Sequence, residues 1–67
     1  METVIRDYYG KILGRIGTQY NGTQVAKNFH GQILGYYYPE QNETKDFHGR
    51  ILARGNTLAA LIQNDNS

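Results

Sequence analysis

Asp7-Tyr8-Tyr9-Gly10-Lys11-Ile12-Leu13-Gly14-Arg15 is written twice more in this chain, as Asn28-Phe29-His30-Gly31-Gln32-Ile33-Leu34-Gly35-Tyr36 and as Asp46-Phe47-His48-Gly49-Arg50-Ile51-Leu52-Ala53-Arg54. The shared pattern is Asp or Asn, an aromatic, Tyr or His, Gly, a polar residue, Ile-Leu, then Gly or Ala. Three copies in 67 residues make the chain an internal-repeat protein. In each copy Asp7, Asn28 or Asp46 opens a four-residue turn and Gly10, Gly31 or Gly49 closes it. The opening side chain can accept bonds from nearby backbone N–H groups, while the glycine takes a positive φ. A type I turn followed by a left-handed glycine is the usual three-residue hairpin loop, so each copy predicts a β-hairpin.

Outward from the turns, short runs rich in Ile, Val, Thr and Tyr read as strands, and helical periodicity is missing until the C-terminus. The expected pairs are residues 3–7 with 11–16, 23–28 with 32–38, and 43–46 with 50–54. Asn21-Gly22 signals a two-residue link, Pro39-Glu40-Gln41-Asn42 a polar turn, and Gly55-Asn56 closes the third link between repeats. The predicted fold is all-β: an antiparallel meander of three hairpins, rolled or flower-like around a pseudo-symmetry axis. Residues 1–62 form one domain, with repeats at about 2–20, 21–41 and 42–55 and a half-repeat at 56–62. Residues 63–67 read as a flexible polar tail.

The half-repeat, Thr57-Leu58-Ala59-Ala60-Leu61-Ile62, stands where another strand would begin. Repeat register favours a strand lacking its partner, an edge that would pair with a second copy or swap into it. The alternative is a short amphipathic helix, since Leu58, Leu61 and Ile62 fall at i, i+3 and i+4. With Asp7 paired to Lys11, simple alternation sets Arg6 opposite Ile12, Ile5 opposite Leu13 and Val4 opposite Gly14, leaving both faces of each Ile-Leu step apolar. That suits strands buried on both sides. Gly14 and Gly35 weaken a strand unless a backbone approaches closely or the chain bends there.

Composition narrows the function classes. A chain this short builds a thin core, for which small domains compensate with disulfides, metals or oligomerisation. There is no cysteine, so self-association is the expected staple. Seven Lys/Arg against six Asp/Glu give a formal charge of +1, without the overall basic excess of a nucleic-acid binder. No signal peptide or membrane span is written in the N-terminus, and a cytoplasmic location is expected.

The hairpin units resemble the small bacterial proteins called 5-fold beta-flower proteins, whose repeats read roughly T-V-x-D-x-x-G-R-I-x-G-x-I. Thr3-Val4-Ile5-Arg6-Asp7-Tyr8-Tyr9-Gly10-Lys11-Ile12-Leu13-Gly14-Arg15-Ile16 carries the likeness, and it extends over residues 2–62. It implies fold and imports no activity. Two departures stand out: the small polar turn residues are here aromatic or His, and the third copy has Ala53 for Gly.

The residues left free by the turn chemistry are Tyr8, Tyr9, Phe29, His30, Phe47 and His48, with the repeat-equivalent cations Arg6, Lys27 and Lys45. Repeated aromatics form a candidate interaction surface, for self-association or for stacking on a glycan. The cations, with Arg15 and Arg54, could follow a phosphate backbone, yet Asp7 and Asp46 lie beside them and cross-strand pairing explains them more simply. Two histidines without a third ligand make no metal site, and no cofactor is expected. No nucleophile elbow or phosphate loop is present, so the chain is not expected to be an enzyme. The expectation is a self-associating structural or protein-interaction module, completed by edge pairing or swapping through residues 57–62. The alternative is a module binding nucleic acid or glycan through its aromatic and basic residues.

Overall fold

The computed structural model describes residues 2–65 and gives one antiparallel sheet of six strands in sequence order, followed by a helix. The strands are β1 (Glu2–Arg6), β2 (Ile12–Thr18), β3 (Gln24–Asn28), β4 (Ile33–Tyr38), β5 (Glu43–Asp46) and β6 (Ile51–Arg54), and the helix is α1 (Leu58–Asp65). The all-β meander is thus as read from the sequence, with one short helix added.

The three hairpin turns have the expected chemistry. The Gly10 N–H donates to Asp7 O at 3.0 Å and the Asp7 N–H to Lys11 O at 2.9 Å. Asp7 Oδ1 accepts from the N–H groups of Tyr9 and Lys11, Asn28 Oδ1 from His30 and Gln32, and Asp46 Oδ1 from His48 and Arg50, all within 3.0 Å. Gly10, Gly31 and Gly49 have φ of 83°, 85° and 87°. The Asn21-Gly22 link differs from its expectation. The Gln19 N–H bonds Thr23 O at 2.8 Å and the Gly22 N–H bonds Gln19 O at 2.9 Å, which makes it the same three-residue loop, Tyr20-Asn21-Gly22.

Register corrects the simple alternation. Arg6 pairs with Ile12, but a bulge then skips Leu13, so Ile5 faces Gly14 and Val4 faces Arg15. The bulge recurs between Ala26 and Lys27 and between Thr44 and Lys45, skipping Leu34 and Leu52. An extra residue on one strand turns two consecutive side-chain positions toward the same side. Leu13 and Gly14 therefore both face the helix, as do Leu34 and Gly35, while Ile12, Ile33 and Ile51 face away with Arg6, Lys27 and Lys45.

Residues 57–62, expected as a strand seeking a partner, enter helix α1 instead, which also takes in Gln63, Asn64 and Asp65 of the expected tail. Residues 66 and 67 lie outside the described residues. The helix start is capped: Asn56 Oδ1 accepts the Leu58 N–H at 3.1 Å, and Thr57 O accepts the Leu61 N–H at 3.1 Å. Thr44, fully buried, ties this start to the sheet by donating to Gly55 O at 2.6 Å and accepting from the Thr57 N–H at 3.0 Å. As a strand, Leu58 and Leu61 would point to opposite faces; as a helix they share one face with Ile62.

That face closes the core. Leu58 and Ile62 are fully buried against Leu13 and Ala26, with Ile5, Ile16, Leu34, Tyr37 and Leu61 packed around them. Burying two such side chains contributes about 1.5–3 kcal/mol each. The close approach depends on two glycines. A Cβ on Gly14 would collide with Lys27 O and Ile62 Cγ2, and one on Gly35 would lie 2.6 Å from Lys45 O and 2.8 Å from Leu61 Cδ1. Ala53 is tolerated because β6 is the last strand and has no further neighbour among the described residues. One helix covers one side of the sheet, and the side expected to be buried as well is left open, with Ile33 40 % and Ile51 59 % exposed.

Candidate functional site

Cross-strand partners share a face, so the register sorts every strand residue onto the helix side or the open side. Arg6, Arg15, Lys27, Lys45 and Arg54 take the open side, and Glu2 and Glu43 are the strand acids that join them. Asp46 lies on the helix side with Asn28, and Asp65 belongs to the helix. A chain with nearly balanced charge thereby acquires one basic face.

The sequence-predicted residues separate into two groups. Lys27 and Lys45 lie on the open face, with Lys45 Nζ 5.1 Å from the centre of the Tyr38 ring. Arg6 shares that face but is engaged locally, its Nη1 donating to Gly10 O at 2.9 Å. The turn aromatics line one end of the sheet, because the three hairpins turn there, at intervals of two strands or roughly 10 Å. Each pair of rings meets within its own turn: Tyr8 with Tyr9 at 5.5 Å, Phe29 with His30 at 3.9 Å, Phe47 with His48 at 4.0 Å. Tyr8 and Tyr9 are almost fully exposed. No three His, Cys, Asp or Glu among the described residues are grouped to hold a metal ion.

Among the described residues none of Arg6, Arg15, Lys27, Lys45 and Arg54 makes the expected cross-strand ion pair; the ion pair that forms joins the two ends of one turn. Arg50 Nε contacts Asp46 Oδ2 at 2.9 Å. The Arg50 N–H bonded to its carboxylate holds Asp46 below the usual aspartate range; burial opposes the shift, and the Arg50 guanidinium and the His48 N–H reinforce it. Arg15 and Lys27, adjacent Cα partners on β2 and β3, have no side-chain bond or ion pair among the described residues. Two like charges directly opposite each other are an electrostatic cost that an anion would relieve, and Glu2, which lines the adjoining cavity, forms no ion pair with either among the described residues.

Beside them lies a cavity of about 340 Å³, lined by Arg15, Lys27, Val25, Ile33, Tyr36 and Gly17, with the acid Glu2 at its β1 side. The ring of Tyr36 stands next to that of Tyr38, centroids 6.2 Å apart and tilted by 33°. Such a volume lies at the lower end of small-ligand sites, roughly 300–1,000 Å³. The sequence displayed the tyrosines and Arg15 but not their grouping, because the bulges that decide the face are invisible to alternation. Gly17 was not singled out either, because the expected strand ended at residue 16, whereas β2 runs on to Thr18 and takes the glycine into the sheet.

Among the described residues no helix is long and apolar enough to cross a membrane. No protein-family model, curated protein or solved structure matches the chain, so the beta-flower resemblance rests on its hairpin motif alone.

Proposed function

We propose that the chain is a non-enzymatic binding module whose working surface is the open face of the sheet, and that it takes a polyanionic chain there. The observation that carries this reading is the segregation of Arg15, Lys27 and Lys45, interleaved with Tyr36 and Tyr38, onto a face that no part of the described chain covers. Basic side chains with aromatic platforms between them are how sequence-tolerant single-strand binders hold a backbone and its bases. Residues 57–62 are packed as a helix on the other side of the sheet, which leaves the open face uncovered by them. A face-to-face dimer through the open side would set the same cations against each other.

The probe is a labelled 20-nucleotide oligo(dT), followed by fluorescence anisotropy at 50 and 200 mM salt. Engagement of about three cations gives a slope of log affinity against log salt near −2. Lys27→Ala and Lys45→Ala each weaken binding at 50 mM salt and flatten that slope. An absence of binding at 50 mM salt, or variants that bind as the native chain does, overturns the reading.

A second reading is self-association. Among the described residues β1 and β6 each have one strand neighbour, and they run antiparallel, so the outer edge of one copy suits the opposite edge of the next. In this reading the three hairpins form a flower-like, pseudo-symmetric unit of a cytoplasmic homo-oligomer, with the turn aromatics as its contact surface. Light scattering at micromolar concentration separates the two: a mass above 7.6 kDa supports assembly, and a strict monomer removes it.

A further inference from the structure

The chain carries a glycine that its fold does not explain. Gly14 and Gly35 are required by the helix and the neighbouring carbonyls, and five others have positive φ. Gly17 has neither reason: a Cβ there would meet only Glu2 Cγ, at 3.9 Å, an ordinary contact. A glycine inside a strand weakens it. Its effect is to leave space in the cavity between Val25 and Glu2, one strand in from the β1 edge of the basic face.

We infer that this cavity is a base-binding pocket for single-stranded nucleic acid, seating one nucleobase over Gly17 and beside Tyr36, with the adjoining phosphate between Arg15 and Lys27. The inference rests on the open face being the polyanion surface. It adds that the face reads bases as well as charge. A planar ring can lie over Gly17 and Val25 with Tyr36 on the far side of Val25, and Ile33 adds apolar surface. Arg15 and Lys27, adjacent and without ion-pair partners among the described residues, are placed for the anion next to that ring. A neutral glycan would leave these cations unused. An acidic peptide would use them but would have no planar ring for the slot.

The test compares three probes at 50 mM salt: an eight-nucleotide oligo(dT), an abasic oligonucleotide of the same length, and an oligoglutamate of equal charge. One stacked base predicts that oligo(dT) binds about tenfold more tightly than the abasic chain. Gly17→Leu, whose side chain fills the slot, abolishes that preference, and Tyr36→Ala reduces it. Gly17→Ala serves as the milder filling should the leucine variant fail to fold by circular dichroism. Equal affinity for oligo(dT) and the abasic chain, or for oligo(dT) and oligoglutamate, overturns the base pocket while leaving the polyanion surface standing. A preference for oligo(dT) that survives both Gly17 variants overturns it too. Failure of all three probes to bind overturns both.

Discussion

At the scale of single residues, Asn28 holds a position that is Asp in the other two hairpins. Its Oδ1 makes the same turn bonds, but its Nδ2 donates to Gln32 Oε1 at 3.0 Å and to Asp65 Oδ2 at 3.2 Å. The amide suits this place because the Asp65 carboxylate of helix α1 reaches this turn. Asn28→Asp keeps the turn and sets two carboxylates together, raising the pKa of the pair. A raised folded value means stability is full below the unfolded value and is lost as pH rises through the folded one, so the variant is destabilised by about 1–3 kcal/mol at pH 7 and recovers below about pH 4. Urea melts at the two pH values check this. Asp46 has the opposite sign. Its lowered pKa contributes stability that is full above about pH 4 and lost as pH falls through the folded value. Asp46→Asn retains the turn, as Asn28 demonstrates, and removes that part of the acid sensitivity. An unchanged acid-unfolding curve would contradict the role given to the Arg50 pair.

Among the elements, helix α1 decides how much of the sheet becomes a core. Ile62→Ala removes a fully buried side chain and costs about 2–5 kcal/mol, comparable to the entire margin of so small a domain, so loss of the cooperative thermal transition is expected. Gly14→Ala and Gly35→Ala force a methyl into the next strand's carbonyl and into the helix, for a loss of about 1–3 kcal/mol or more. Ala53→Gly, at the equivalent place on the terminal strand, costs only about 0.5–1 kcal/mol. Denaturation midpoints for the three variants should rank in that way; equal losses would deny the glycines their seating role. The hairpins were legible because Asp/Asn and Gly at fixed offsets dictate the turn. The helix was harder to read, since six apolar-rich residues satisfy either period. Its deciding signals, the Asn56-Thr57 cap and the buried Thr44 that anchors it, depend on a contact thirteen residues away.

For the whole molecule, the consequence of a single helix is asymmetry: one side of the sheet is a core and the other is a surface. Alternation alone treated the Ile-Leu steps as buried on both sides, because it could not foresee the bulges or which side the helix would take. The candidate site was legible in its parts, Lys27, Lys45, Arg15 and the tyrosines, and illegible as a group. Their assembly requires the register to be shifted by one residue in every hairpin. The turn residues that drew attention in the sequence lie at the end of this face, while the cavity lies within it. Amide chemical-shift mapping on the labelled protein, titrated with an eight-nucleotide oligo(dT) at 50 mM salt, addresses the open face most directly. The account predicts saturable shifts centred on Arg15, Gly17, Val25, Lys27 and Tyr36, with Leu58 and Ile62 unmoved. Shifts confined to the helix or to the sheet edges β1 and β6, or no shifts at all, would contradict it.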